Sequence, residues 1–202
     1  YDGTTTANAS GLTYTFSNLV SGESIVLSGS GTVGSKDVSG GTQNITLGTI
    51  TLADNTGVAS NYSLTSGTMN VTQKQVNLSG TKVYDNNATL NNSIISVASG
   101  LVGSETLNLS GDVVTNSSNV GTYLASANQL NSGSTNIALT NGSNGGLSNN
   151  YTINEGTYSI TQRPVTILGT KVYDGAQTIS AGNITTFNNT VGGQTLTVSG
   201  NT

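Results

Sequence analysis

Lys82, Tyr84 and Asp85 form the strongest chemical constellation in this chain, and it recurs as Lys171, Tyr173 and Asp174. A phenol ring beside an acid can stack on a sugar and hydrogen-bond it. The same residues can also serve the fold, with Tyr anchoring a strand to the core and Asp capping the turn that follows. Recurrence favours the second use, because each copy must solve the same folding problem. The wider inventory points the same way. There is no His and no Cys, so the usual triads and zinc sites have no ligands or bases to draw on. A glycosidase needs two facing carboxylates, and no acid pair is suggested by the motifs. The nine Asp and Glu are scattered, without the Asp-x-Asp-x-Asp-Gly run of a calcium loop. A calcium site built from Asp37, Asp54 or Asp112 with backbone carbonyls is the remaining metal option. The expectation is a chain with no catalytic residue, no metal and no cofactor, whose binding residues stay unassigned.

Asn-x-Ser/Thr triplets occur at Asn8, Asn44, Asn77 and Asn183. In a chain so rich in these three residues they are expected by chance, and they matter only in a host that glycosylates them. Thr and Ser on strand faces could lie against ice or flat polysaccharide, but plain solvation of those faces accounts for them without a regular Thr-x-Thr array. The net charge is −4 and no basic patch exists, so nucleic acid is not an expected partner. No run reaches the ~18 apolar residues of a membrane span. The chain opens on Tyr1 rather than Met, which points to an excerpt of something longer.

The elements that must position these residues are repeated. Tyr1 to Tyr84 is 83 residues, and Tyr84 to Tyr173 is 89. Residues 62–85 align without gaps on residues 151–174 with 12 of 24 positions identical. A second block appears three times, at residues 19–29, 101–111 and 190–200. Self-similarity of this kind precedes any other reading of the fold. The copies differ in length mainly after Leu109, where Asn141-Gly142-Ser143-Asn144-Gly145-Gly146 carries turn chemistry.

Only 7% of residues are charged, against about 25% in typical domains. Polarity of this kind suggests disorder, but the apolar residues alternate. Val76 and Leu78, Tyr158 and Ile160, and Val165 and Ile167 each place two side chains on one strand face. The pattern predicts antiparallel sheets with one dry face and almost no α-helix. Ser66-Gly67 and Glu155-Gly156 read as tight hairpins. Asp2-Gly3, Asp85-Asn86 and Asp174-Gly175 read as the turns ending each Tyr-Asp motif. Domain boundaries are expected near Gln73-Lys74 and Gln162-Arg163, beside the sole Pro, Pro164. This gives residues 1–73 as a repeat lacking its first strand, 74–162 as a complete repeat, and 163–202 as the start of a third. The expected architecture is all-β, with tandem β-sandwich-like repeats (Ig-like or related) forming a rod. A β-solenoid is the rival fold, although a period in the 80s is long for one coil.

Lys82-Val83-Tyr84-Asp85, the Gly-Leu-Val-Gly-x-Glu-x-Leu-x-Leu-Ser-Gly run at 100–111, Asn150-Tyr151 and residues 160–165 together resemble the YDG-domain repeats of bacterial exoproteins. Such repeats occur in filamentous-haemagglutinin-like adhesins. Departures from that pattern are Asn86 for Gly, Gln75 for Pro and Gln194 for Glu. The resemblance implies export to the bacterial cell surface and a role in spacing, adhesion or biofilm structure, with no catalytic residue to carry over. Three functions follow as expectations: a structural stalk, a self-assembling extracellular fibre or sheath subunit joined by strand complementation, or a carbohydrate-binding module. Expected partners are neighbouring repeats of the same chain, other copies of the protein, or surface glycans.

Overall fold

The computed structural model describes residues 1–126 and 136–200. Among these residues the regular structure is β-strand with short 3-10 turns and no α-helix, as the alternation predicts. The register pairs are antiparallel. Among the described residues the sheets are two-stranded, apart from one of four strands in which Lys74–Val83 lies between Tyr151–Thr161 and Ile95–Ser99, with Gly121–Ser126 outside Tyr151–Thr161. Separate antiparallel sheets are not the stacked parallel coils of a solenoid, so that alternative is set aside.

Contacts divide the chain into two compact units. The first comprises Tyr1–Asn77, Val97–Asn108 and Leu139–Asn154. Here Thr6–Asn8 pairs with Ser30–Thr32, Ile25–Ser28 with Thr51–Asp54, and Thr42–Asn44 with Thr68–Asn70. Ala7, Ile25, Val33, Ile50, Val76, Tyr151 and Ile153 are buried there. The second unit comprises Leu78–Ser96, Leu109–Ala138 and Glu155–Thr202. In it Thr89–Asn91 pairs with Asp112–Val114, and Gly121–Ser126 runs against the 155–160 stretch. Leu78, Leu90, Val113, Ile137, Tyr158 and Ile160 form its most buried set.

The alternation reports correctly on Lys74–Val83, where Val76, Leu78 and Gly80 face inward. It fails on Val165 and Ile167, which are 41% and 52% exposed. Ile167 lies in the strand Thr166–Gly169, which among the described residues pairs only with Ile184–Asn188, and Val165 just precedes it. The predicted hairpins are also corrected. Tyr151–Thr161 is one continuous strand, and Gly67 and Gly156 do not have the positive φ that a two-residue hairpin turn requires. The two apolar pairs are instead out of phase along one strand. Tyr151 and Ile153 face inward before Glu155, and Gly156, Tyr158 and Ile160 after it. The insertion after Leu109 falls partly outside the described residues. Its turn at 142–146 uses positive φ at Asn144 and Gly145.

The Tyr158 ring is fully buried and its hydroxyl has no hydrogen-bond partner among the described residues. Burial pushes its pKa up to about 12. Removing an unsatisfied hydroxyl while keeping the ring removes a desolvation cost. Tyr158→Phe is therefore expected to leave stability unchanged or raise it by about 1 kcal/mol, read from the urea midpoint.

Candidate functional site

A turn places one acid at the centre of the first unit. The Glu105 N–H donates to the Val102 carbonyl at 3.0 Å, with Gly103 at φ +54 between them. A turn of the same span forms at Glu23 on Val20 and at Gln194 on Val191, with the positive φ one position later, at Gly22 (φ +87) and Gly193 (φ +81). Glycine supplies the left-handed conformation without the Cβ clash. The repeated block thus presents one acid or amide from one turn, three times.

The Glu105 carboxylate is 8% exposed and accepts two phenol hydrogen bonds. Tyr151 donates to Oε2 at 2.6 Å, and Tyr1 donates to Oε1 at 2.6 Å. The Tyr151 hydroxyl also accepts from the Val102 N–H at 3.0 Å, so it is satisfied as donor and acceptor. The two rings meet edge to face, 5.4 Å apart. The Lys36 ammonium lies 3.5 Å from Oε1 and donates to the Tyr1 hydroxyl at 3.3 Å.

The titration of these groups reflects that packing. Burial alone would raise the Glu105 pKa, but the hydrogen bonds from Tyr1 and Tyr151 and the Lys36 charge outweigh it and hold the carboxyl below its ordinary value. Tyr151 is pushed up to about 12, first by burial and then by its bond to the carboxylate. The node is a charge-assisted cross-link between four distant segments, and such bonds are stronger than neutral ones.

Half of it recurs elsewhere in this unit. Tyr62 donates to Glu23 and accepts from the Val20 N–H at 3.1 Å. In the second unit Gln194 Nε2 donates to the Tyr84 hydroxyl. A buried amide adds a further tie in the first unit. Asn150, fully enclosed, accepts from the Val38 N–H at 2.9 Å and donates to Asp37 Oδ1 at 2.8 Å.

The residues singled out by the sequence fall into different roles. Lys82 and Asp85 pair at 2.7 Å, and Lys171 and Asp174 at 2.8 Å. Each lysine also donates to carbonyls across the following turn, Lys82 to Thr89 and Lys171 to Ala176 and Thr178. Asp2, Asp85 and Asp174 accept from the N–H two residues on, and Gly3, Asn86 and Gly175 between them have positive φ. The turn-capping reading of Asp is therefore met. The core-anchor reading of Tyr is not: Tyr84 is half-buried and Tyr173 is 94% exposed. Tyr1 and Tyr84 reach across to the acid or amide of the next block instead.

Asp37, Asp54 and Asp112 are not brought together. Asp37 accepts from Asn150, Asp54 from the Ala59 N–H, and Asp112 from the Asn92 N–H. No group of three or more acids converges among the described residues. Asn77 and Asn183 use their side chains internally, whereas Asn8 and Asn44 are exposed. Sequence reasoning missed Glu105, Lys36 and the Asp37–Asn150 pair. The available signal was the fifth position of the repeated block, which is Glu, Glu or Gln in a chain nearly free of charge.

Residues 1–70 match the YDG domain, a span that takes in Tyr1, Glu23 and Tyr62. No curated protein and no solved structure matches the chain. No helix among the described residues is long and apolar enough to cross a membrane.

Proposed function

We propose that this chain is a structural segment of a secreted bacterial surface adhesin, built of tandem repeats of about 83 to 89 residues that space a binding region away from the cell. The observation that carries this reading is the linkage of two of the three motif tyrosines to the next block's acid or amide. Tyr1 bonds to Glu105 and Tyr84 to Gln194. Taken with repeat boundaries near 73/74 and 162/163, each link joins one repeat to its successor. A spacer needs such ties, because a short junction with no fixing contact would flex. The scarcity of catalytic residue types and the capture of Lys82, Asp85, Lys171 and Asp174 by local turns support a structural rather than enzymatic role.

Small-angle scattering on the dilute chain, paired with a glycan screen, tests the proposal. The expected result is an elongated profile with no sugar affinity. A compact globular profile would sink the spacer reading. Sugar binding that is lost in Tyr84→Ala, with an unchanged unfolding midpoint, would replace it with a carbohydrate-binding module.

A further inference from the structure

The pairs whose register is given above are antiparallel, but the centre of the four-stranded sheet is not. Inside the first unit Gln73 Nε2 donates to the Tyr151 carbonyl at 3.0 Å, and Asn154 Nδ2 donates to Asn77 Oδ1 at 3.1 Å. Both chains advance in the same direction between these ties, so Lys74–Val83 and Tyr151–Thr161 run parallel. Their far ends pair in the second unit. There the Tyr84 N–H donates to the Thr161 carbonyl at 2.9 Å, and Thr161 Oγ1 donates to the Lys82 carbonyl at 3.2 Å. Neighbouring parallel strands need a long crossover, and here it is the whole stretch from Tyr84 to Asn150. The two strands are therefore the first and the last of the repeat at 74–162.

We propose that this parallel pair is a load-bearing seam, and that the repeat's further function is to carry tension along the chain. The proposal rests on the spacer reading and on its boundaries near 73/74 and 162/163. Tension enters the repeat at Lys74 and leaves it at Thr161. It draws the first strand toward its N-terminal end and the last strand toward its C-terminal end. In a parallel pair those pulls are opposed along a common axis, so the bonds between the strands are loaded in shear and must fail together. Antiparallel terminal strands would have both loaded ends on one side and would open rung by rung. Other contacts oppose sliding. Lys74–Val83 is also paired along its second edge, with Ile95–Ser99. Asn77 ties both neighbours, donating to Ser99 Oγ at 3.2 Å while it accepts from Asn154. Val76 and Leu78 are 0% and 1% exposed, and a slip of one residue would turn them to the opposite face. At the loaded end the Gln73 amide holds two carbonyls, those of Asn149 at 3.2 Å and Tyr151 at 3.0 Å.

The test is single-molecule pulling on the full chain between introduced cysteines, which are unique handles because the sequence has none of its own. Thr72→Cys with Gln162→Cys loads the seam along the chain direction. Thr72→Cys with Asn149→Cys pulls the two strands apart from their N-terminal ends. All three positions are exposed, so both variants should keep the wild-type urea midpoint. Forced unfolding reports the barrier rather than the equilibrium, and the first pair is expected to rupture at about twofold higher force or more at equal loading rate. Equal forces, or a weaker first pair, overturn the seam even where scattering shows an elongated chain. A compact scattering profile with the force ratio intact removes the spacer reading and upholds the seam.

Discussion

Glu105→Leu is expected to destabilise the first unit by about 3 kcal/mol, read by urea denaturation at pH 7. The substitution fits a buried position, so lost packing contributes little. What it removes is the acceptor for the Tyr1 and Tyr151 hydroxyls, each bonded at 2.6 Å. Tyr151 is 2% exposed and cannot turn to water, so its donor is left unpaired at the cost of its desolvation. Glu105→Gln is the informative partner. An amide can accept from one phenol and donate to the other, and Gln194 already donates to Tyr84 at the related position. The expected loss is about 1 kcal/mol.

The two variants also separate in their pH dependence. The folded carboxyl sits below its ordinary value of 4.5. Its contribution is therefore fully present above that value and is lost as pH falls through the depressed one. Acid titration should reduce wild-type stability across that window, while the Gln variant lacks this component. Equal slopes in the two proteins would show that Glu105 is not the titrating group.

The division between what was legible and what was not follows from which residues decide each feature. Alternation is a local property, so Val76 and Leu78 could be placed on a dry face from Lys74–Val83 alone. Burial needs a covering layer, which is why the same pattern at Val165 and Ile167 did not ensure it. The Glu155-Gly156 pair looked like a turn because the flanking apolar pairs are out of step. A phase slip within one strand and a hairpin leave the same trace in sequence, and only φ and pairing distinguish them. The Asp turns were legible because cap and positive-φ residue lie within a few positions. Glu105 was not. Its partners Tyr1 and Tyr151 stand 104 and 46 residues away, and nothing local to residues 100–111 names them.

Gly100 gives the other large effect, and the third copy of the block supplies its control. Gly100 has φ +99, and a Cβ built there would lie 2.3 Å from the Gln75 carbonyl oxygen and 2.9 Å from Val76 Cα. Both neighbours are backbone of Lys74–Val83, whose Val76 is fully buried, so neither can yield cheaply. Gly100→Ala adds a left-handed conformation costing about 1–2 kcal/mol to a contact that must push the strand aside, and should lose about 3 kcal/mol in all. Asn189 occupies the equivalent position at φ +66 and turns the nearby carbonyl, that of Pro164, into a hydrogen-bond acceptor at 2.7 Å. Gly100→Asn places the same Cβ against Gln75, so it should cost less than Gly100→Ala only by Asn's better tolerance of positive φ and a side-chain bond to the Gln75 carbonyl, about 1 kcal/mol. Size alone predicts the reverse order, so the ranking of the two urea midpoints decides whether the third copy's arrangement is available to the second.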